Sequence, residues 1–200
     1  MARNLNKNRI LLSRLSALLS LLVILFTRPT FASGTPLHEI LTVLGYFMVA
    51  AAAMGRLYAS VFIGGFKNQR LIDYGPFSVV RNPLYTFSLI GVLGISLISA
   101  NIIVIVYLAI FFPLTYHFLI KREESFLEQE FGDDYRNYLQ RVPRLIPNFS
   151  LYAAPKEIEA RPRVVTSALF DAVWWFAALP VIELVQYLQT AGILPAVRLF

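Results

Sequence analysis

The chain has 200 residues, 57% hydrophobic and 15% charged, whereas soluble domains carry roughly 25% charge, so this composition fits lipid as the solvent. It has no cysteine and two histidines, His38 and His117, which excludes disulfides, thiolate metal sites, a cysteine nucleophile and a multi-histidine metal cage. The formal charge of +6 comes from basic residues that flank apolar runs and alternate with acids, a topology signal beside anionic lipid rather than a nucleic-acid surface.

A spanning helix needs about 20 mostly apolar residues. The first run, Ile10 to Phe26, follows Arg3, Lys7 and Arg9. Small residues from Thr30 to Gly34 also resemble a cleavage region, so the run reads as an uncleaved helix, with a removed signal peptide as the alternative. The second run, Leu37 to Ile63, is interrupted only by Arg56. A polar stretch, Lys67 to Arg81, holds the turn Gly75-Pro76. Asn82-Pro83 reads as an N-cap followed by proline at the first helical position. The third helix starts there and fades near Ile98, spanning roughly 24 Å. Ser99-Ala100-Asn101 is a tight break before a fourth helix, Ile102 to about Ile120, antiparallel to the third.

From Lys121 the chain is polar. Glu123 to Phe131 continues the helix, Gly132 stops it, and Asp133 or Asp134 caps a short helix through Arg141. Pro143 and Pro147 lead into a linker, Asn148 to Arg163, and a last apolar run, Val164 to Leu188, is bent by Pro180. The expected fold is all-α: an integral membrane bundle of about five transmembrane helices with a cytoplasmic helical cap. Residues 1–36 form an N-terminal helix or signal anchor, 37–150 the core, and 151–200 a linker and C-terminal helix. Lys and Arg crowd one side and leave Arg28 and Arg198 on the other. This puts the 67–81 and 121–163 segments together in the cytoplasm, in a multi-pass protein of the bacterial inner membrane.

Tyr74-Gly75-Pro76-Phe77 and Arg81-Asn82-Pro83-Leu84-Tyr85 place turn residues, a cation and aromatics at a helix N-terminus. Its free N–H groups and positive dipole end suit a carboxylate or phosphate. Lys121-Arg122-Glu123-Glu124 sets adjacent carboxylates where the fourth helix leaves the membrane. A carboxylate there can grip an amine, a ribose hydroxyl or a sulfonium. The alternative is that these charges only solvate helix ends. On either reading Glu123 and Glu124 lie at a solvated helix end, so Glu→Gln there is expected to cost little stability.

The order Gly75-Pro76-Phe77, Arg81-Asn82-Pro83-Leu84-Tyr85, Arg122-Glu123-Glu124, Phe131-Gly132, Tyr135, Tyr138, then Val142-Pro143-Arg144 through Pro147 is specific. It resembles the isoprenylcysteine carboxyl methyltransferase and phospholipid methyltransferase superfamily, over roughly Ile63 to Asn148. The resemblance implies a helical membrane enzyme that binds S-adenosylmethionine at the cytosolic helix ends. Its acceptor would be a lipophilic small molecule or a lipid-modified one, reached among membrane lipids, with no metal and no nucleic acid. Carried over by motif, Gly75, Pro76, Phe77, Arg81, Asn82, Pro83 and Tyr85 form the cofactor cradle. Glu123 and Glu124 match the family's paired glutamates, and Tyr135, Tyr138 and Arg144 fall on its closing segment. Arg81, Arg144 and Glu124 are the implied catalytic residues, the arginines by orienting a carboxylate acceptor bidentately. Gly64-Gly65-Phe66 aligns loosely ahead of the cradle. His117 lies one turn before Lys121 and two before Glu124, so it shares their face and joins the cofactor set, a buried interhelical hydrogen bond being its alternative.

Two departures stand out. The carboxyl methyltransferases usually carry His where this chain has Asn82, and the C-terminal span is extra. Asn occurs in the phospholipid branch and in distantly related sterol reductases, so a carboxylate, amine or thiol acceptor stays open. An NADPH-dependent reductase is the second reading and a non-catalytic scaffold the third; Glu123-Glu124 and Tyr135 favour the methyltransferase. Arg56 is an intramembrane charge that either snorkels or lines the pocket. Asp171 and Glu183 face water or pair with a neighbouring helix. Trp174, Trp175, Tyr107 and Tyr187 read as interface anchors or packing, and Gly91-x-x-Gly94 as a face for a hairpin or a dimer.

Overall fold

Helices begin where the local chemistry allows their first N–H groups to go unpaired within the helix. The computed structural model describes residues 15–64, 66 and 69–197, and no strand occurs among them. Ile10 to Arg14, Gly65, Lys67 and Arg198 lie outside the described residues. Helix α1 is Leu15–Phe26. Helix α2, Pro36–Ile63, is capped by Thr35, whose hydroxyl accepts from the His38 amide, and has proline in its first turn. A single turn, α3 (Pro76–Val79), precedes α4, Pro83–Ile98. Helix α5, Ile102–Arg141, is capped by the Asn101 side chain, which accepts from the Ile103 and Val104 amides. It breaks once, at Gly132, with φ 55° and ψ −126°, a conformation that favours glycine. The predicted stop and the short helix after it are therefore two arms of one kinked element. A 3₁₀ turn at Phe149–Leu151 leads to α6, Pro162–Thr190.

Helices α2, α5 and α6 are long and apolar enough to cross a membrane; α1 and α4 are apolar but shorter. Among the described residues three helices thus meet the length of a span, where five were read from the whole sequence, whose first run begins at Ile10, outside them. The 16 residues of α4 reach about 24 Å, short of a hydrocarbon core of about 30 Å. Outward faces carry Phe47, Met54, Phe118 and Phe170, all strongly exposed. That is the wrong surface for water and an ordinary one for lipid.

The chain's two polar ends assort cleanly. At one end the Thr30 and Phe31 amides donate to the Ala100 carbonyl, Arg28 N–H donates to Val197, and Gln189 Nε2 donates to the carbonyls of Ile24, Leu25 and Thr27. At the other, Arg161 N–H reaches Gly64, Asn148 N–H reaches Val79, and Arg81 N–H reaches Pro143. The 64–81 and 142–161 segments therefore share one end, the arrangement the basic residues suggested.

Between the ends, α5 buries Val104, Leu108, Phe112, Tyr116 and Ile120 at every fourth position, against Val49, Ile98, Ile182 and Val185. Helices α2 and α4 approach closely through glycine. A Cβ on Gly94 would stand 2.8 Å from the Gly45 carbonyl oxygen, and one on Gly91 only 2.3 Å from the Trp175 ring. The Gly91/Gly94 face is used inside the chain, against α2 and α6. Gly94→Leu is accordingly expected to cost about 2–3 kcal/mol by overpacking. Thermal unfolding in detergent measures it, and an unchanged midpoint would show that the helices have room to part.

Candidate functional site

The site is assembled by a strap. Residues 143–148 run beside the start of α4: the Arg81 amide donates to Pro143 at 2.8 Å, Asn82 Nδ2 donates to the Arg144 carbonyl at 3.3 Å, and Thr86 Oγ1 donates to Leu145 at 3.1 Å. Asn82 sits at the N-cap position but its side chain caps nothing. This corrects the sequence reading: the side chain is turned to the strap by its Nδ2, and its Oδ1 accepts from no N–H of the helix. The short arm after Gly132 is held down by Tyr138, whose hydroxyl donates to the Phe77 carbonyl at 2.7 Å, and by the Arg141–Asp73 ion pair at 2.7 Å. Tyr135, Tyr138 and Val142 bury a small core there with Leu71, Leu127 and Phe131 around it.

Under this cover lies a cavity of about 590 Å³. Of the sequence-derived residues, Phe77, Arg81, Asn82, Pro83, Tyr85, Glu123, Tyr135 and Tyr138 line it. The others do not. Gly75 and Pro76 are buried behind the wall, where a Cβ on Gly75 would come 2.2 Å from the Phe62 ring, so they shape the turn rather than touch a ligand. His117 is exposed beside Phe118, outside the cavity wall. Sharing a helix face with Glu124 did not place it in the site, because the strap covers only the last turns of that face.

The paired glutamates part company. Glu123 lines the cavity and its Oε2 accepts from the Tyr85 hydroxyl at 3.0 Å. Glu124 is 7% exposed and lies behind the wall. Its Oε1 stands 3.2 Å from Arg81 Nη1 and accepts from Arg144 Nε at 3.2 Å, while Oε2 accepts from Arg144 Nη2 at 2.6 Å. The expectation that both glutamates sit at a solvated helix end is wrong for Glu124. It is the buried counter-ion of two arginines, and Arg144 acts through it rather than on the cavity. Arg81 Nε is buried without a hydrogen-bond partner among the described residues. An orphan donor on a cavity-lining side chain is what an acceptor-rich ligand group would satisfy.

The rest of the wall comes from residues that the sequence reading left undecided, as Arg56 and Asp171, or read as anchors and packing, as Trp174 and Trp175. Arg56 does not snorkel: it lines the cavity and pairs with Asp171 at 2.6 Å. Asp171, Trp174 and Trp175 of α6 also line it. The one sequence signal for them was charge inside apolar runs. Tyr116 and Phe112 close the α5 side, with ring centroids of Tyr85 and Tyr116 5.0 Å apart. The lining follows α4 from Asn82 to Ile95, roughly 20 Å of helix.

The phospholipid methyltransferase family matches residues 36–134. That range takes in α2 and most of α5, starts earlier than the resemblance at Ile63, and leaves Tyr135, Tyr138, Arg144 and all of α6 outside. The chain is 33% identical over 164 residues to the cobalt-zinc-cadmium resistance protein CzcN of Cupriavidus metallidurans, covering 82% of this chain and 76% of that one. It is 28% identical over 174 residues to the nickel-cobalt-cadmium resistance protein NccN of Alcaligenes xylosoxydans xylosoxydans, covering 87% and 81%. No solved structure matches. The Arg81–Tyr85 element and the two glutamates, which frame the cavity, fall within the matched residues, and the chain belongs to the phospholipid methyltransferase family, in the membrane methyltransferase group that also holds the isoprenylcysteine carboxyl methyltransferases.

Proposed function

We propose that the chain transfers a methyl group from S-adenosylmethionine to a lipophilic acceptor at the cytoplasmic face of the membrane. The observation that carries this reading is a single cavity joining an ionic end, under the strap, to an apolar end at membrane depth along α4. A two-substrate reaction between a polar donor and an apolar acceptor needs such a space. S-adenosylmethionine, when bound, supplies an electrophilic methyl group on a sulfonium. The residues fit it: the unpartnered Arg81 Nε would take its carboxylate, Glu123 would face its cationic or hydroxyl groups, and Phe77 and Tyr135 offer ring surface to its base. Holding donor and acceptor in line is worth about 7–11 kcal/mol of effective molarity. Exclusion of water by the strap favours a step that disperses charge.

The basic residues gathered with the strap, Arg70, Arg81, Arg144 and Arg161 among them, support a cytoplasmic location for that end. The relatives are named for metal resistance, and we carry that over as the setting in which a membrane acceptor is methylated. Calorimetric titration of detergent-purified protein is expected to show saturable S-adenosylmethionine binding and none for NADPH. NADPH binding in its place would move the chain to the reductase reading, and binding of neither to a scaffold.

A further inference from the structure

The second end of the cavity is built by a helix that the family match does not include. Helix α6 sets Asp171, Trp174 and Trp175 beside Arg56 of α2 and Ser88 of α4. Arg56 makes four hydrogen bonds: Nε and Nη2 both donate to Asp171 Oδ2, at 2.9 and 2.6 Å, and Nη1 donates to the Leu84 carbonyl at 3.2 Å and to Ser88 Oγ. Its guanidinium also lies 5.8 Å from the Trp175 ring centre. The pair therefore brings no net charge to the wall. Asp171 is engaged on one side only. Its Oδ1 accepts no hydrogen bond among the described residues, and the side chain is 48% exposed. One carboxylate oxygen is held and the other is offered. Below this shelf the lining turns apolar, through Val92, Ile95 and Phe112.

Resting on the methyl-transfer reading, we propose that this end is the acceptor subsite and that it selects the chemistry of the acceptor's tip. It takes a long apolar molecule whose tip carries a hydrogen-bond donor, a hydroxyl, thiol or amine, received by Asp171 Oδ1. Trp174 and Trp175 flank the molecule and its tail runs down α4. An ionised carboxylate tip is refused. Neither its oxygens nor Asp171 Oδ1 carries a proton to share, so no hydrogen bond can form, and the nearest charged atom it meets is an oxygen of its own sign. Of the acceptor classes the motif left open, the carboxylate drops out.

Trp174 and Trp175 are the chain's two tryptophans, so emission excited selectively from tryptophan reads this wall. The full-length protein in nanodiscs is titrated, in alkaline buffer, with hexadecanol, hexadecanethiol, hexadecylamine and hexadecanoate. The first three are expected to give a saturable change in emission, and hexadecanoate to bind about tenfold more weakly or only partition linearly. In the double variant Arg56→Gln/Asp171→Asn, which keeps hydrogen-bonding groups and removes both charges, hexadecanoate should approach hexadecanol. S-adenosylmethionine affinity, measured calorimetrically on the same samples, should be unchanged. Equal binding of hexadecanoate and hexadecanol to the wild-type protein overturns the subsite, whatever the variant does; should the variant fail to fold, that wild-type order decides alone. Wild-type protein that discriminates among the probes yet binds no S-adenosylmethionine keeps the subsite and removes the methyl-transfer reading instead.

Discussion

Glu124→Gln is expected to destabilise the protein by about 3 kcal/mol and to abolish measurable S-adenosylmethionine binding, whereas Glu123→Gln is expected to leave stability within about 1 kcal/mol of wild type. Glu124 bridges Arg81 and Arg144 from a position 7% exposed, and Gln removes the charge while leaving both guanidinium groups in place. Breaking a buried pair from one side costs about 3–5 kcal/mol. The lower figure applies because the Arg144 side chain is 36% exposed and can turn to water, while Arg81, at 13%, cannot. An unpaired Arg81 would no longer be held at the cavity wall, so ligand binding falls with the fold. Glu123 lines the cavity, where its Oε2 accepts from the Tyr85 hydroxyl. Its loss should show in ligand affinity, about tenfold or 1.4 kcal/mol. Thermal unfolding and calorimetry on both variants measure the contrast. Matching melting temperatures would mean that the Arg81–Glu124–Arg144 cluster contributes nothing to stability.

Methyl transfer should rise steeply with acceptor tail length and then stop rising. The lining follows α4 from Asn82 to Ile95, and its lower part is apolar. Each methylene taken out of water into that part contributes about 0.8 kcal/mol, close to fourfold in kcat/KM. A few added methylenes thus change the rate by orders of magnitude, until the tail reaches the end of the lined stretch at Ile95. A water-soluble headgroup without a tail should be a poor substrate. The assay compares matched acceptors at one low concentration, differing only in chain length. Equal turnover for the short and long members would mean that the acceptor arrives from water, and a lipophilic acceptor seated along α4 would have to be abandoned.

The helix plan was legible because helix ends are decided by neighbouring residues. Pro36, Pro83 and Pro162 each stand in a first turn, Asn101 caps α5, and Gly132 breaks it where the sequence placed the stop. The motif from Arg81 to Tyr85 and the two glutamates were legible as well, because the order and spacing of residue types survive in the linear chain. What each side chain faces was not. Glu123 and Glu124 are adjacent, yet the 100° turn between them puts one on the cavity and the other under the arginines. His117 shares a face with Glu124 and is exposed, because the strap that covers the one does not reach the other. Arg56 and Asp171 meet across 115 residues of sequence, and Gly94 meets Gly45 on another helix. In water such faces announce themselves, since the covered side is apolar and the bare side polar. In lipid both sides are apolar. The sequence of this chain therefore determined where its helices begin and end and which motif they carry. Packing decided which residues of that motif form the cavity, and that α6 completes it.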